Sequence, residues 1–199
     1  MFGKSLSALV LVGMLLVSAS SGAHERIVLD PDDTSGPLDI AAVRMVHASG
    51  FAKLKVVTYE TWADSALSGD VSYIRFDLDR PSKTGHSRCI IVHRDPAQGQ
   101  KPARWKGTLY KACGPFPFGG EWTGRVEVTR PDAHSLIAKA RWSRIWKARV
   151  VDRETIRFRA FTSFEDGSTP GCEPSDPPPP EHFTGPCFDT TRWRKHAPS

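Results

Sequence analysis

The stretch Ile74-Arg75-Phe76-Asp77-Leu78-Asp79 alternates apolar and charged side chains at every step. An extended strand turns successive side chains to opposite faces, so Ile74, Phe76 and Leu78 share a face that seeks a core, while Arg75, Asp77 and Asp79 share one that accepts water. The same period recurs outward from this stretch. Leu54, Val56 and Thr58 oppose Lys53 and Lys55; Val126 and Val128 oppose Arg125, Glu127 and Thr129; Ile156, Phe158 and Ala160 oppose Arg157 and Arg159. Turn-forming clusters separate these runs: Ser68-Gly69-Asp70, residues 80–85, residues 95–99, Gly119-Gly120 and Arg130-Pro131-Asp132. About nine short strands joined by Gly/Pro turns predict an all-β, antiparallel β-sandwich. The only helical reading is one short turn at Trp142-Ser143-Arg144-Ile145-Trp146-Lys147.

Before this pattern, Lys4 precedes an apolar run from Leu6 to Val17, and the small residues Ser21-Gly22-Ala23 follow it. That order is the one a secretory signal peptide shows, with cleavage expected after Ala23. The run is shorter than the roughly 20 residues a permanent transmembrane helix needs. The expected organisation is therefore a signal peptide over 1–23, a β-sandwich over 24–166, and a Pro-rich, disulfide-tied segment over 167–199 packed on the same domain. The Pro177-Pro178-Pro179-Pro180 run cannot join a sheet ladder. The expected location is secreted or extracytoplasmic, with no transmembrane segment once the leader is removed.

Four cysteines, Cys89, Cys113, Cys172 and Cys187, in an exported chain read as two disulfides. Of the three pairings, Cys89–Cys113 and Cys172–Cys187 each bracket a turn-rich segment. Lys plus Arg number 27 against 22 Asp plus Glu, a net charge of +5. This balance favours anionic partners such as an envelope polysaccharide. Basic residues are spread along the chain without a folded nucleic-acid-binding motif, so no nucleic acid is expected.

Several features together carry a resemblance: the opening Leu29-Asp30-Pro31-Asp32-Asp33-Thr34-Ser35-Gly36-Pro37-Leu38-Asp39-Ile40, Trp62 after the strand at 54–59, the acidic end of 74–79, and Cys187-Phe188-Asp189. They resemble exported bacterial β-sandwich proteins of uncharacterised function. More distantly, the opening looks like that of the DOMON and family-9 carbohydrate-binding superfamily, β-sandwiches that bind sugars, haem or calcium. The Met/His haem pair of that group has no counterpart here, because Met45 and His47 project on the same side of one strand.

Three candidate sites follow. Asp30, Asp32, Asp33 and Asp39 could give Ca²⁺ the several oxygens a hard cation needs, and could equally be turn formers bonded to their own backbone. Trp105 and Trp122 flank a loop displaying Phe116 and Phe118, an aromatic surface suited to stacking on sugar rings or docking a protein. Asp77 and Asp79 share a strand face and could form a catalytic acidic pair. No GxSxG, HExxH or CxxC motif is present. The reading is an exported, non-catalytic binding or envelope-associated module for a carbohydrate or envelope polymer. The alternatives are a polysaccharide-acting hydrolase and a structural or protein-interaction domain.

Overall fold

A computed structural model describes residues 24–32, 36–48, 50–68, 72–81, 87–111, 120–146, 155–164 and 188–196. In chain order the strands are β1 (His24–Leu29), β2 (Ile40–Ala48), β3 (Phe51–Thr58), β4 (Tyr73–Asp79), β5 (Arg88–Asp95), β6 (Arg104–Lys111), β7 (Glu121–Asp132), β8 (Ser135–Arg141), β9 (Ile156–Ser163), β10 (Phe188–Thr190) and β11 (Arg194–His196). A 3₁₀ turn (Asp64–Leu67) follows β3, and the expected helical turn is α1 (Trp142–Trp146). All pairings are antiparallel.

The all-β reading holds, with eleven strands among the described residues where about nine were expected. Strands β1, β10 and β11 are short pieces whose few residues show no usable alternation. The two expected layers are halves of one sheet, ordered β1-β2-β3-β8-β7-β6-β5-β4-β9-β10, with β11 also on β9. The sheet curls so that its halves face each other. Met45, Leu54 and Val56 from one half share a single core with Ile74, Phe76, Leu78, Ile90 and Phe158 from the other, all fully buried. Each such side chain contributes roughly 1.5–3 kcal/mol by leaving water.

Strand β7 makes the curl. Residues up to Val126 pair with β6, and residues from Glu127 pair with β8. At this hand-over β6 carries Gly107, opposite Val126. A Cβ there would lie 2.6 Å from Val128 Cγ2 and 3.0 Å from the Val126 carbonyl oxygen. Only glycine admits the approach. The Arg130-Pro131-Asp132 turn expected from sequence is instead the end of β7, where a register shift between Thr129 and Asp132 absorbs the proline. The turn proper falls at Ala133-His134. It is held by Asp132, whose carboxylate accepts the His134 amide at 2.9 Å and the Ser135 hydroxyl at 2.7 Å.

The ends of the curled sheet meet at a seam. The Ile40 amide donates to Asp189 Oδ2 at 2.5 Å, joining β2 to β10, and the Thr162 hydroxyl of β9 donates to the Leu38 carbonyl at 2.9 Å. On the opposite face from the core, Tyr73, Cys89 and Ile91 form a small buried patch with Tyr110 and Phe161. Cys89 is disulfide-bonded. Cys113, Cys172 and Cys187 lie outside the described residues, and so does the expected pairing.

Replacing Gly107 with Ala should destabilise the fold by about 1–3 kcal/mol, because the added methyl must displace backbone as well as Val128. Urea unfolding of Gly107→Ala beside Gly124→Ala, whose Cβ would meet nothing within 4 Å, checks this. Equal midpoints would remove the bend from its assigned role.

Candidate binding cleft

The mouth of the curled sheet gathers residues from four segments. The chain leaving β3 brings Trp62 and Asp64, the end of β5 brings Arg94, the start of β6 brings Trp105, and the end of β7 with its turn brings Arg130, Asp132 and Ala133. Trp62, Asp64, Trp105, Arg130, Asp132 and Ala133 line an open cleft of about 460 Å³.

Its geometry is a ladder of rings and guanidiniums. Trp62 and Trp105 meet edge to face, with centroids 5.9 Å apart and planes at 87°. The Arg130 guanidinium lies 3.9 Å above the Trp62 ring, and Arg94 lies 5.5 Å above Trp105. Asp64 ties the two arginines together by ion-pairing with both. Arg130 also donates to the carbonyls of Trp62 and Ala133, fixing the chain on both sides of the cleft. The Trp62 amide donates to the Ala133 carbonyl at 3.1 Å. Burial pushes the Arg130 guanidinium below its ordinary value, opposed by the nearby Asp132 charge. Hydrogen bonds from Ser135 and the His134 amide hold Asp132 below the usual carboxylate value.

Two donors in this assembly lack acceptors. Trp62 is 4 % exposed and its indole Nε1 is buried without a hydrogen-bond partner, as is Arg130 Nε. Buried donors are nearly always paired, so these two are departures from the rule in the packing behind the cleft.

Of the aromatic residues expected at a binding surface, Trp105 is in the cleft. Trp122 is 63 % exposed but pairs with Tyr110, toward the opposite end of β6. Phe116 and Phe118 lie outside the described residues. Trp142 and Trp146 are buried and stack at 5.5 Å. The tryptophans therefore serve several sites and form no single platform. Sequence reasoning missed Arg94, Arg130, Asp64 and Asp132, since Arg130-Pro131-Asp132 reads locally as a turn. The available signal was that Trp62 and Trp105 each sit within two residues of a charged side chain at a strand end.

The acidic residues divide between two other places. Asp77 is 5 % exposed and both its oxygens are engaged, Oδ1 by Arg75 Nε at 2.5 Å and Oδ2 by Arg159 Nε at 3.0 Å. Arg157 Nε donates to Asp79 Oδ2 at 3.1 Å. Trp193 stacks with Arg157 and Arg159 at 5.3 and 4.6 Å. This is a charge ladder between β4 and β9, and Asp77 is buried within it. Asp30 gives its backbone carbonyl to the Tyr59 hydroxyl, Asp32 is exposed, and Asp33 lies outside the described residues. Asp39 is 2 % exposed and faces Asp189 and Asp32. Among the described residues, no group of three or more His, Cys, Asp or Glu is placed to hold a metal ion.

Comparison of the chain with family models, curated proteins and solved structures returns no match.

At the seam, burial first and the charges of Asp189 and Asp32 second push the Asp39 carboxyl up to about 7 from 3.8. Between these values the folded chain keeps a proton that the unfolded chain has released. This contribution to stability is therefore lost as pH rises from about 4 to about 7, and is flat above that. Asp39→Asn should remain neutral, reduce this fall and raise the melting temperature at pH 8 relative to wild type. Parallel melting curves of the two proteins from pH 4 to pH 8 would contradict the assignment.

Proposed function

We propose that the protein is an exported, non-catalytic binding module, and that its ligand, a carbohydrate or related envelope polymer, seats in the Trp62–Trp105 cleft. One observation carries the reading: Trp62 and Trp105 meet at right angles in the lining of an open cleft that also holds a guanidinium and two carboxylates. A sugar complements that set. Its C–H faces stack on Trp105, and its hydroxyls both accept from N–H donors and donate to Asp64 and Asp132. The cleft volume suits one or two sugar rings. Export is supported by the charged-then-apolar leader and by the disulfide-bonded Cys89, a bond that persists in oxidising compartments. The resemblance of the opening to sugar-binding β-sandwiches points the same way, as an analogy. The non-catalytic reading draws on Asp77, one member of the acidic pair, being buried between two arginines.

Affinity electrophoresis through gels containing neutral or acidic polysaccharides tests this. Retardation by one of them should weaken about 30-fold in Trp105→Ala, the roughly 2 kcal/mol lost when a central aromatic contact is truncated. Trp122→Ala should leave it unchanged. Retardation that survives Trp105→Ala and disappears in Trp122→Ala would place the ligand elsewhere.

A further inference from the structure

The outer face of the β1-β2-β3-β8 half of the sheet is built against its own electrostatics. In register, Arg44 of β2 lies directly opposite Lys55 of β3, and Lys53 of β3 lies directly opposite Lys139 of β8. Directly opposed side chains sit about 5 Å apart at Cβ, and like charges there oppose folding. Arg141, two residues beyond Lys139 on the same face, extends the set to five cations. Glu25, Asp132 and Glu127 approach Arg44, Lys55 and Lys139 at 3.3, 3.9 and 3.5 Å. Among the described residues, Lys53 and Arg141 have no carboxylate partner.

Lysines on sheets commonly protect an open edge from pairing with another chain. That explanation fails here, because β3 and β8 are interior strands. The open edge, β1, does the reverse and exposes Ile27 (44 %) and Leu29 (77 %). Both aliphatic side chains fall on the cationic face, since Ile27 is opposite Arg44 and Leu29 is opposite Ala42. A two-dimensional spread of cations over three strands, bordered by exposed aliphatics, matches one kind of surface. Lipid phosphates accept the charges, and the acyl region beneath accepts Leu29 and Ile27. An acidic polysaccharide would answer the charges but gives the aliphatics nothing.

We propose that this face is a peripheral docking surface for an anionic phospholipid bilayer, formed by Arg44, Lys53, Lys55, Lys139 and Arg141 with Ile27 and Leu29 as the apolar border. It is independent of the ligand cleft. Lys55 sits at the cleft end of the face through its contact with Asp132, so a docked molecule holds the cleft beside the membrane.

The test is vesicle co-sedimentation of the protein recovered after export. Vesicles are phosphatidylcholine alone or with about one-third phosphatidylglycerol, at low and high salt. Binding should require phosphatidylglycerol and fall with salt. Lys53→Gln with Lys139→Gln should weaken it about five-fold per cation removed, and Leu29→Ser should weaken it without altering the salt dependence. Lys53→Gln alone should also raise the melting temperature, because it relieves the opposed pair. That result shows the variant is folded and that its loss of binding is local. Equal sedimentation with both vesicle types, or binding unchanged in the double variant and in Leu29→Ser, would overturn the proposal. So would retention by a soluble polyuronate with no phosphatidylglycerol binding, which would give the face to a polysaccharide.

Discussion

Strand β7 belongs to both halves of the sheet. Its first half pairs with β6 and its second half with β8, so its backbone is held from a different side at each end. A strand so placed must bend, and the bend needs a partner that can come close. Gly107 supplies it, letting β6 rest against Val126 and Val128 where any other residue would hold the chains apart. A side chain there would press on Val126 and Val128, which pack on the core that Leu54 and Phe76 share.

The cleft is a consequence of the same bend. Beyond it, β7 ends at the mouth of the curled sheet and delivers Arg130 there. Arg130 is half the scaffold of the site. It covers Trp62, reaches Asp64, and caps carbonyls on two segments distant in sequence. Asp64 passes the connection to Arg94, and so to Trp105. Charges used this way position one another more than they stabilise, since partly exposed ion pairs contribute little to folding. What they produce is a pair of indoles held at right angles with an N–H donor left over.

The sequence made the strands legible because alternation is a local property. Ile74, Phe76 and Leu78 are buried as their alternation states, but on the other face Arg75 and Asp79 are half-buried and Asp77 is buried where water was expected. Alternation does not encode which strand follows which around a curl, so two layers were expected where one continuous sheet exists. The site was legible only in part for the same reason. Trp105 could be suspected from its chemistry, but Arg130 and Asp64 are 66 positions apart and meet only through the bend. Asp77 misled, because a carboxylate on a strand looks alike whether it faces a substrate or two arginines on its own and a neighbouring strand. Asp39 and Asp189 are 150 residues apart, and no spacing rule predicts that the seam would bury them together.

The indole N–H resonances of the protein report directly whether Trp62 and Trp105 form the wall a ligand touches. In ¹⁵N-labelled protein titrated with neutral and acidic oligosaccharides, one of them should shift the Trp62 and Trp105 indole signals together. The Trp142 and Trp146 signals, from the buried pair at the other end of the core, should stay fixed. Saccharide binding that moves Trp122 while Trp62 and Trp105 stay unmoved, or no response to any saccharide, would contradict that assignment.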